Sequence, residues 1–99
     1  MNIVRFKLKP ECVDKYFEVH EKFNCQGLTN RYIAKTGENS YCFVGLWESR
    51  EGLVAARPKM LAHLDEVREF MKELSPEIGV TDPLSGIIVA YGAEQLSSS

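Results

Sequence analysis

The sequence predicts an α+β domain whose elements follow the order βαββαβ. Three observations indicate this order: alternating apolar residues at the N-terminus, two stretches with apolar residues at helical spacing, and a turn-rich segment between two runs of β-formers. Right-handed crossovers around the central hairpin would build one antiparallel, four-stranded sheet with both helices on the same face. This arrangement is the ferredoxin-like fold.

The first half of the chain predicts strand, helix and hairpin in turn. Residues 2–9 alternate with a period of two, which places Val4, Phe6 and Leu8 on one face of a strand that ends at Pro10. Residues 12–23 carry apolar side chains at helical spacing. Residues 28–35 and 41–47 are rich in β-formers, and residues 36–40 have the composition of a turn, so a hairpin is expected.

The second half predicts a broken helix and a final strand. Ser49 is a good helix N-cap, and Pro58 would interrupt the helix at Arg57 and Pro58. A longer helix should continue to Leu74, because its apolar residues keep helical spacing. We expect residues 77–86 to form a turn-rich loop and residues 87–91 to form a central strand, apolar on both faces.

Length and charge exclude several classes of protein. The 99 residues fit one domain, expected over residues 1–92 and followed by a flexible tail at 93–99. Twelve basic and fourteen acidic residues give a net charge of -2, whereas proteins that bind nucleic acids or anionic membranes carry a basic surplus. We therefore expect no nucleic-acid and no membrane partner. The N-terminus lacks a secretory apolar region, which favours a cytoplasmic location.

The cysteines predict neither a metal site nor a disulfide framework. Cys12, Cys25 and Cys42 are odd in number and lack the close pairs of a structural zinc site. We expect reduced, partly buried thiols and no metal or cofactor. Redox or nucleophilic use of a thiol remains the alternative.

The sheet face without helices is expected to be apolar. It carries Ile3, together with either Val44 and Leu46 or Phe43 and Trp47. A large apolar face on a monomer usually marks an association surface, and cyclic dimers are the commonest symmetric assemblies. The sequence therefore predicts a homodimer.

Two segments carry a resemblance to a known family. Residues 4–11, VRFKLKPE, lead into an amphipathic helix, and residues 41–53 form a strand ending in Trp-Glu-Ser before another helix. This pattern resembles the antibiotic biosynthesis monooxygenase-like family of the dimeric α+β barrel superfamily. The resemblance implies a homodimer whose two sheets close a barrel. In the enzymes of the family, it implies a pocket between sheet and helices where O₂ oxidises an aromatic substrate without metal or flavin.

The chain departs from that family at two positions. Family enzymes often carry a histidine two to three turns after the tryptophan, and the nearest here is His63. Members that degrade haem use an asparagine on the first strand, where this chain has Val4, with Asn2 one step earlier on the same face.

Two histidines are the candidate catalytic residues. His20 lies near the middle of the apolar arc of the first helix, so it is either a pocket acid or base or a core histidine with a hydrogen-bond partner. His63 lies at the edge of the second helix stripe and is either an alternative base or a half-exposed boundary residue.

Candidate substrate-binding residues are aromatic or cationic. Trp47 could hold a planar ligand or plug a junction of the fold, and Tyr16 flanks His20 at helical spacing. Tyr32, Tyr41 and Tyr91 could donate phenolic hydrogen bonds or simply pack. Arg31 could bind a carboxylate in a bidentate manner or form a salt bridge at an edge or between subunits.

These observations predict a small-molecule binding protein. The resemblance adds a specific activity, a cofactor-independent monooxygenase acting on an aromatic or apolar metabolite. The alternative is a non-enzymatic, dimeric binding or stress-associated module without an open pocket. The volume of the interior distinguishes the two, because ligand sites enclose a few hundred Å³.

Overall fold

The computed structural model describes residues 1–90. The strands are β1 (Asn2–Leu8), β2 (Leu28–Gly37), β3 (Ser40–Trp47), β4 (Met71–Lys72) and β5 (Thr81–Ser85). The helices are α1 (Val13–His20), α2 (Arg50–Ala55) and α3 (Arg57–Val67), and 3₁₀ turns cover Pro10–Cys12 and Arg68–Phe70. The phenol of Tyr91, the expected domain boundary at residue 92 and the expected tail at 93–99 lie outside the described residues.

The strands form one antiparallel sheet in the order β2-β3-β1, with β4 and β5 both pairing with the far edge of β1. β5 lies opposite the first five residues of β1, and β4 lies opposite Lys7 and Leu8. Five strands therefore occupy the four positions of a ferredoxin-like sheet. The predicted α+β, ferredoxin-like fold is confirmed.

The hydrophobic core lies on one face of this sheet. The predicted inner face of β1 is confirmed, because Phe6 and Leu8 are buried and Val4 packs against them. Helix α1 contributes Tyr16, and the neighbouring strand contributes Tyr41 and Phe43 on the same side of the sheet. Aromatic rings therefore fill much of the space between β1, β3 and α1.

The hairpin and the helix interruption are also confirmed. β2 and β3 are joined at Glu38 and Asn39, and Asn39 takes the left-handed backbone conformation (φ 60°) that short turns often need. The Ser49 hydroxyl accepts a hydrogen bond of 3.0 Å from the Gly52 amide at the start of α2. The break lies at Ala56, one residue before the predicted position, and Pro58 occupies the first turn of α3, where no amide donor is needed.

The predicted end of the second helix is wrong. α3 stops at Val67, not at Leu74, and Met71 belongs to a strand that pairs with Leu8. The chain leaves the helix because the far end of β1 still needs a strand partner. From this strand Met71 also reaches the core, where it is buried.

The predicted last strand is wrong as well. Residues 87–90 are not a strand, and Ile87 and Val89 are 69% and 91% exposed. The strand is β5, inside the segment expected to be a loop, with Pro83 opposite Val4. A proline is tolerated there because β5 pairs with β1 alone among the described strands, so its other edge needs no amide donor.

The opposite face of the sheet carries a row of apolar side chains. Leu84, Ile3, Val44 and Tyr32 lie directly across from one another on four neighbouring strands. Phe43 is buried among the core side chains instead, which decides the alternative left open by the sequence. Among residues 1–90, no helix combines the length and the apolar character required to cross a membrane.

Candidate functional site

A cavity of about 410 Å³ lies between the inner face of the sheet and the helices. Its volume is in the range of small-molecule sites. Most of its lining is apolar, and its polar members are Asn2, Tyr16, His20, Arg57, His63, Thr81 and Ser85. An apolar interior with few polar groups is typical of a ligand site.

The two candidate histidines meet in this cavity. His20 is the last residue of α1, His63 lies in α3, and the His20 Nδ1 and His63 Nε2 atoms are 3.4 Å apart. The His63 ring stacks on Phe23 with centroids 4.4 Å apart, and the His20 ring stacks on Tyr16 at 5.6 Å. These stacks hold the imidazoles so that one ring nitrogen can donate a hydrogen bond to the other.

The surroundings keep both imidazoles neutral at neutral pH. Burial, followed by repulsion from His63 and Arg31, lowers the pKa of His20 to about 4. Burial also lowers the pKa of His63, and nearby Glu66 partly opposes this shift. Each neutral ring has one nitrogen without a proton, so the pair can act as a base. The lowered pKa values make it a weaker base than a histidine in water, and the hydrogen bond between the rings would share the proton. Burial raises the pKa of Tyr16, so its phenol stays protonated and can only donate or accept hydrogen bonds.

Arg31 supports this pair from behind the cavity lining. Its guanidinium donates hydrogen bonds to the carbonyl oxygens of His20 (3.4 Å), Glu21 (3.2 Å) and Phe23 at the end of α1. Carbonyl groups at a helix C-terminus have no partner within the helix, and a cation there is favourable. Arg31 thus fixes the backbone of the residues that position the imidazoles.

Trp47 and Asn2 form a second polar contact. The indole Nε1 of Trp47 donates a hydrogen bond of 2.8 Å to Oδ1 of Asn2, which is 7% exposed. Gly45 stands opposite Asn2 in the sheet, where a side chain would collide with that oxygen. Asn2 lines the cavity, whereas Trp47 lines a neighbouring cleft of about 480 Å³.

Three of the six predicted site residues line the cavity, and the other three lie elsewhere. His20, His63 and Tyr16 share the cavity, Trp47 reaches it through Asn2, and Arg31 acts behind it. Tyr32 is 58% exposed on the opposite sheet face. No group of three or more potential metal ligands occurs among residues 1–90.

Asn2 and Arg57 were not among the predicted site residues. Asn2 had a usable signal, because it is a polar residue in step with the inward-facing Val4 and Phe6. A buried amide needs a hydrogen-bond partner, so its place on that face indicates a specific contact. Arg57 had no such signal, since an arginine beside a proline reads as a helix surface.

Comparisons with known proteins identify the fold. No family model and no curated protein matches the chain. Among solved structures, it is similar to a mutant of SnoaB, a cofactor-independent oxygenase from Streptomyces nogalater (12% identity, 93% of this chain and 94% of that chain covered, TM-score 0.63). It is also similar to an antibiotic biosynthesis monooxygenase-like protein from Chloroflexus aurantiacus J-10-fl (11%, 91% and 94%, 0.61). A third similar structure is Rv0793 from Mycobacterium tuberculosis (16%, 91% and 96%, 0.58).

These structures confirm the expected resemblance at the level of fold. The similarity to the antibiotic biosynthesis monooxygenase-like protein from Chloroflexus aurantiacus J-10-fl extends over 91% of this chain. Identities of 11–16% carry no residue roles from one chain to another, so the chemistry has to be argued from this cavity.

Proposed function

We propose that the protein binds a small aromatic or apolar metabolite in the cavity between sheet and helices, and oxidises it with O₂ without a cofactor. The observation that carries this proposal is the neutral His20–His63 pair on the wall of an apolar cavity of about 410 Å³. The fold shared with SnoaB, which is a cofactor-independent oxygenase, supports the same reaction class.

The proposed reaction begins with a proton transfer. The histidine pair accepts a proton from an activated methylene group of the substrate and leaves a carbanion. The carbanion passes one electron to O₂, and the resulting substrate radical and superoxide combine through a new C–O bond. The peroxide takes up a proton and loses water, so that the CH₂ group becomes a carbonyl group and the second oxygen atom leaves as water.

The other polar groups would orient the substrate. The phenol of Tyr16 and the amide of Asn2 both line the cavity and can donate hydrogen bonds to a substrate carbonyl. Trp47 would act as a positioning residue. Its indole donates a hydrogen bond to the Asn2 oxygen, so the Asn2 amide nitrogen lies on the side away from the indole.

An oxygen-uptake assay tests the proposal. The probe is anthrone, an aromatic ketone with an activated methylene, and the product is followed by absorbance. Replacing both His20 and His63 with Gln should lower the rate about a hundredfold, because positioned acid–base groups contribute that much or more. The control is Asp65→Asn, an exposed position of α3 that should leave the rate unchanged. An undiminished rate in the double variant would contradict the mechanism.

The same assay separates the second candidate function. The cavity of about 410 Å³ argues against a domain whose interior is filled by its own side chains. A non-enzymatic binding module would still bind aromatic probes but would consume no oxygen. Binding without oxygen uptake would therefore favour that function.

Homodimerisation through the open sheet face is part of the proposal. The row formed by Leu84, Ile3, Val44 and Tyr32 offers a contiguous apolar surface, and Leu84 is 69% exposed. Burying it against a second copy removes that surface from water. Sedimentation equilibrium should give a dimer for the native chain and a monomer for Val44→Glu, whereas a native monomer at tens of micromolar would refute the assembly.

The proposal also places the protein in the cytoplasm. Its support is the sequence, in which three unpaired and widely spaced cysteines fit a reducing compartment.

A further inference from the structure

The charge distribution around the cavity is one-sided. The chain carries more acidic than basic residues, fourteen against twelve. Even so, none of the described side chains that line the cavity is a carboxylate, and Arg57 is the one formally charged member of the lining. A site of this kind disfavours cationic ligands and favours a ligand with a single negative charge.

Arg57 lies where the cavity meets the neighbouring cleft. It is the first residue of α3, its side chain is exposed, and it lines both spaces. Arg50 and Glu48 also line the cleft, so two arginines face one carboxylate among its described lining residues. The two ion pairs seen within residues 1–90, Arg5 with Asp82 and Arg68 with Asp65, involve neither of these arginines. The Arg57 guanidinium can therefore bind an anion from outside, and its planar fork matches a carboxylate.

We propose that the natural ligand is an organic monoanion with an apolar or aromatic body, and that Arg57 binds its anionic group at the mouth of the cavity. This inference rests on the proposed function, because it assigns the ligand class of the same cavity. The apolar body would lie among the side chains between α3 and the sheet. The anionic group would remain beside Arg57, where solvent reaches it and its desolvation is small.

A pair of probes of similar shape tests the inference by calorimetry. The probes are 2-naphthoate and the neutral 2-naphthylmethanol, both titrated at low salt and pH 8, where the neutral histidines add no charge. The measured quantity is the ratio of the two dissociation constants. In Arg57→Gln this ratio should shift about fivefold against naphthoate, as expected for one solvent-accessible ion pair, while the alcohol binds as before. Arg68→Gln, on the 3₁₀ turn after α3, is the matched control and should leave the ratio unchanged.

The outcomes separate the ligand class from the cavity function. An unchanged ratio in Arg57→Gln, with both probes still bound, would overturn the assignment of the anion to Arg57 and leave the proposed function standing. An equal shift in Arg68→Gln would show a general effect of surface charge and would also overturn it. Failure of the native protein to bind either probe would overturn both the inference and the binding function on which it rests.

Discussion

Acid should begin to destabilise this protein below about pH 6.5, which is above the pH range in which carboxylates titrate. The pKa of His20 is lowered from 6.5 to about 4 in the folded chain, mainly by burial. Between these two pH values, His20 is therefore protonated in the unfolded chain and neutral in the folded chain. The contribution of the neutral His20 to the free energy of unfolding is fully present above about pH 6.5 and is lost as the pH falls toward 4.

The magnitude follows from the two pKa values. Between pH 7.5 and pH 5, the two pKa values correspond to a fall of about 2 kcal/mol in the free energy of unfolding. Because the His20 side chain is partly exposed, we expect a fall of about 1–2 kcal/mol from this residue. The lowered pKa of His63 acts in the same direction. Urea unfolding followed by far-UV circular dichroism, repeated across this pH range, measures the loss.

His20→Phe is the matched variant for this measurement. A phenyl ring can keep the stacks on Tyr16 and Phe23 but cannot titrate, and the adjacent cavity has room for the larger ring. The variant should lose at least 1 kcal/mol less stability than the native chain between pH 7.5 and pH 5. Equal losses in the two proteins would refute the argument that His20 is held neutral by its surroundings.

Two further substitutions test the contacts around the cavity. Gly45→Ala would place a methyl group against the Asn2 oxygen and 3.1 Å from Trp47 Nε1. Thermal unfolding should show a loss of about 1–3 kcal/mol in the free energy of unfolding, and the indole fluorescence should shift. An unshifted spectrum would mean that the contact between Asn2 and Trp47 survives. Arg31→Met removes the donor to the carbonyls at the end of α1 and should lower the free energy of unfolding by about 1–2 kcal/mol. Its control, Arg5→Met, breaks an exposed ion pair and should lower it by less than about 1 kcal/mol. Equal losses in the two variants would contradict the capping role of Arg31.

Local chemistry determined much of this fold. Some features act only on their immediate neighbours in the chain. The alternation of Val4 with Phe6 predicted a strand face, the Ser49 hydroxyl predicted a helix start, and the Pro58 ring predicted a helix interruption, all without knowledge of the remaining chain. The predictions failed where a distant partner decided the outcome. Met71 follows a helical pattern but is drawn into a strand by Leu8, and β5 is a strand because β1 has a free edge beside it.

The candidate site divides in the same way. The sequence by itself determined that His20 lies on the apolar arc of a helix, since helical periodicity is a local property. Its contact with His63, 43 residues away, depends on how α1 and α3 pack over the sheet, and the bond between Asn2 and Trp47 depends on the register of β1 against β3. Such contacts join elements far apart in the chain, so only the tertiary structure decided that His20, His63 and Asn2 line one cavity and that Trp47 contacts it through Asn2.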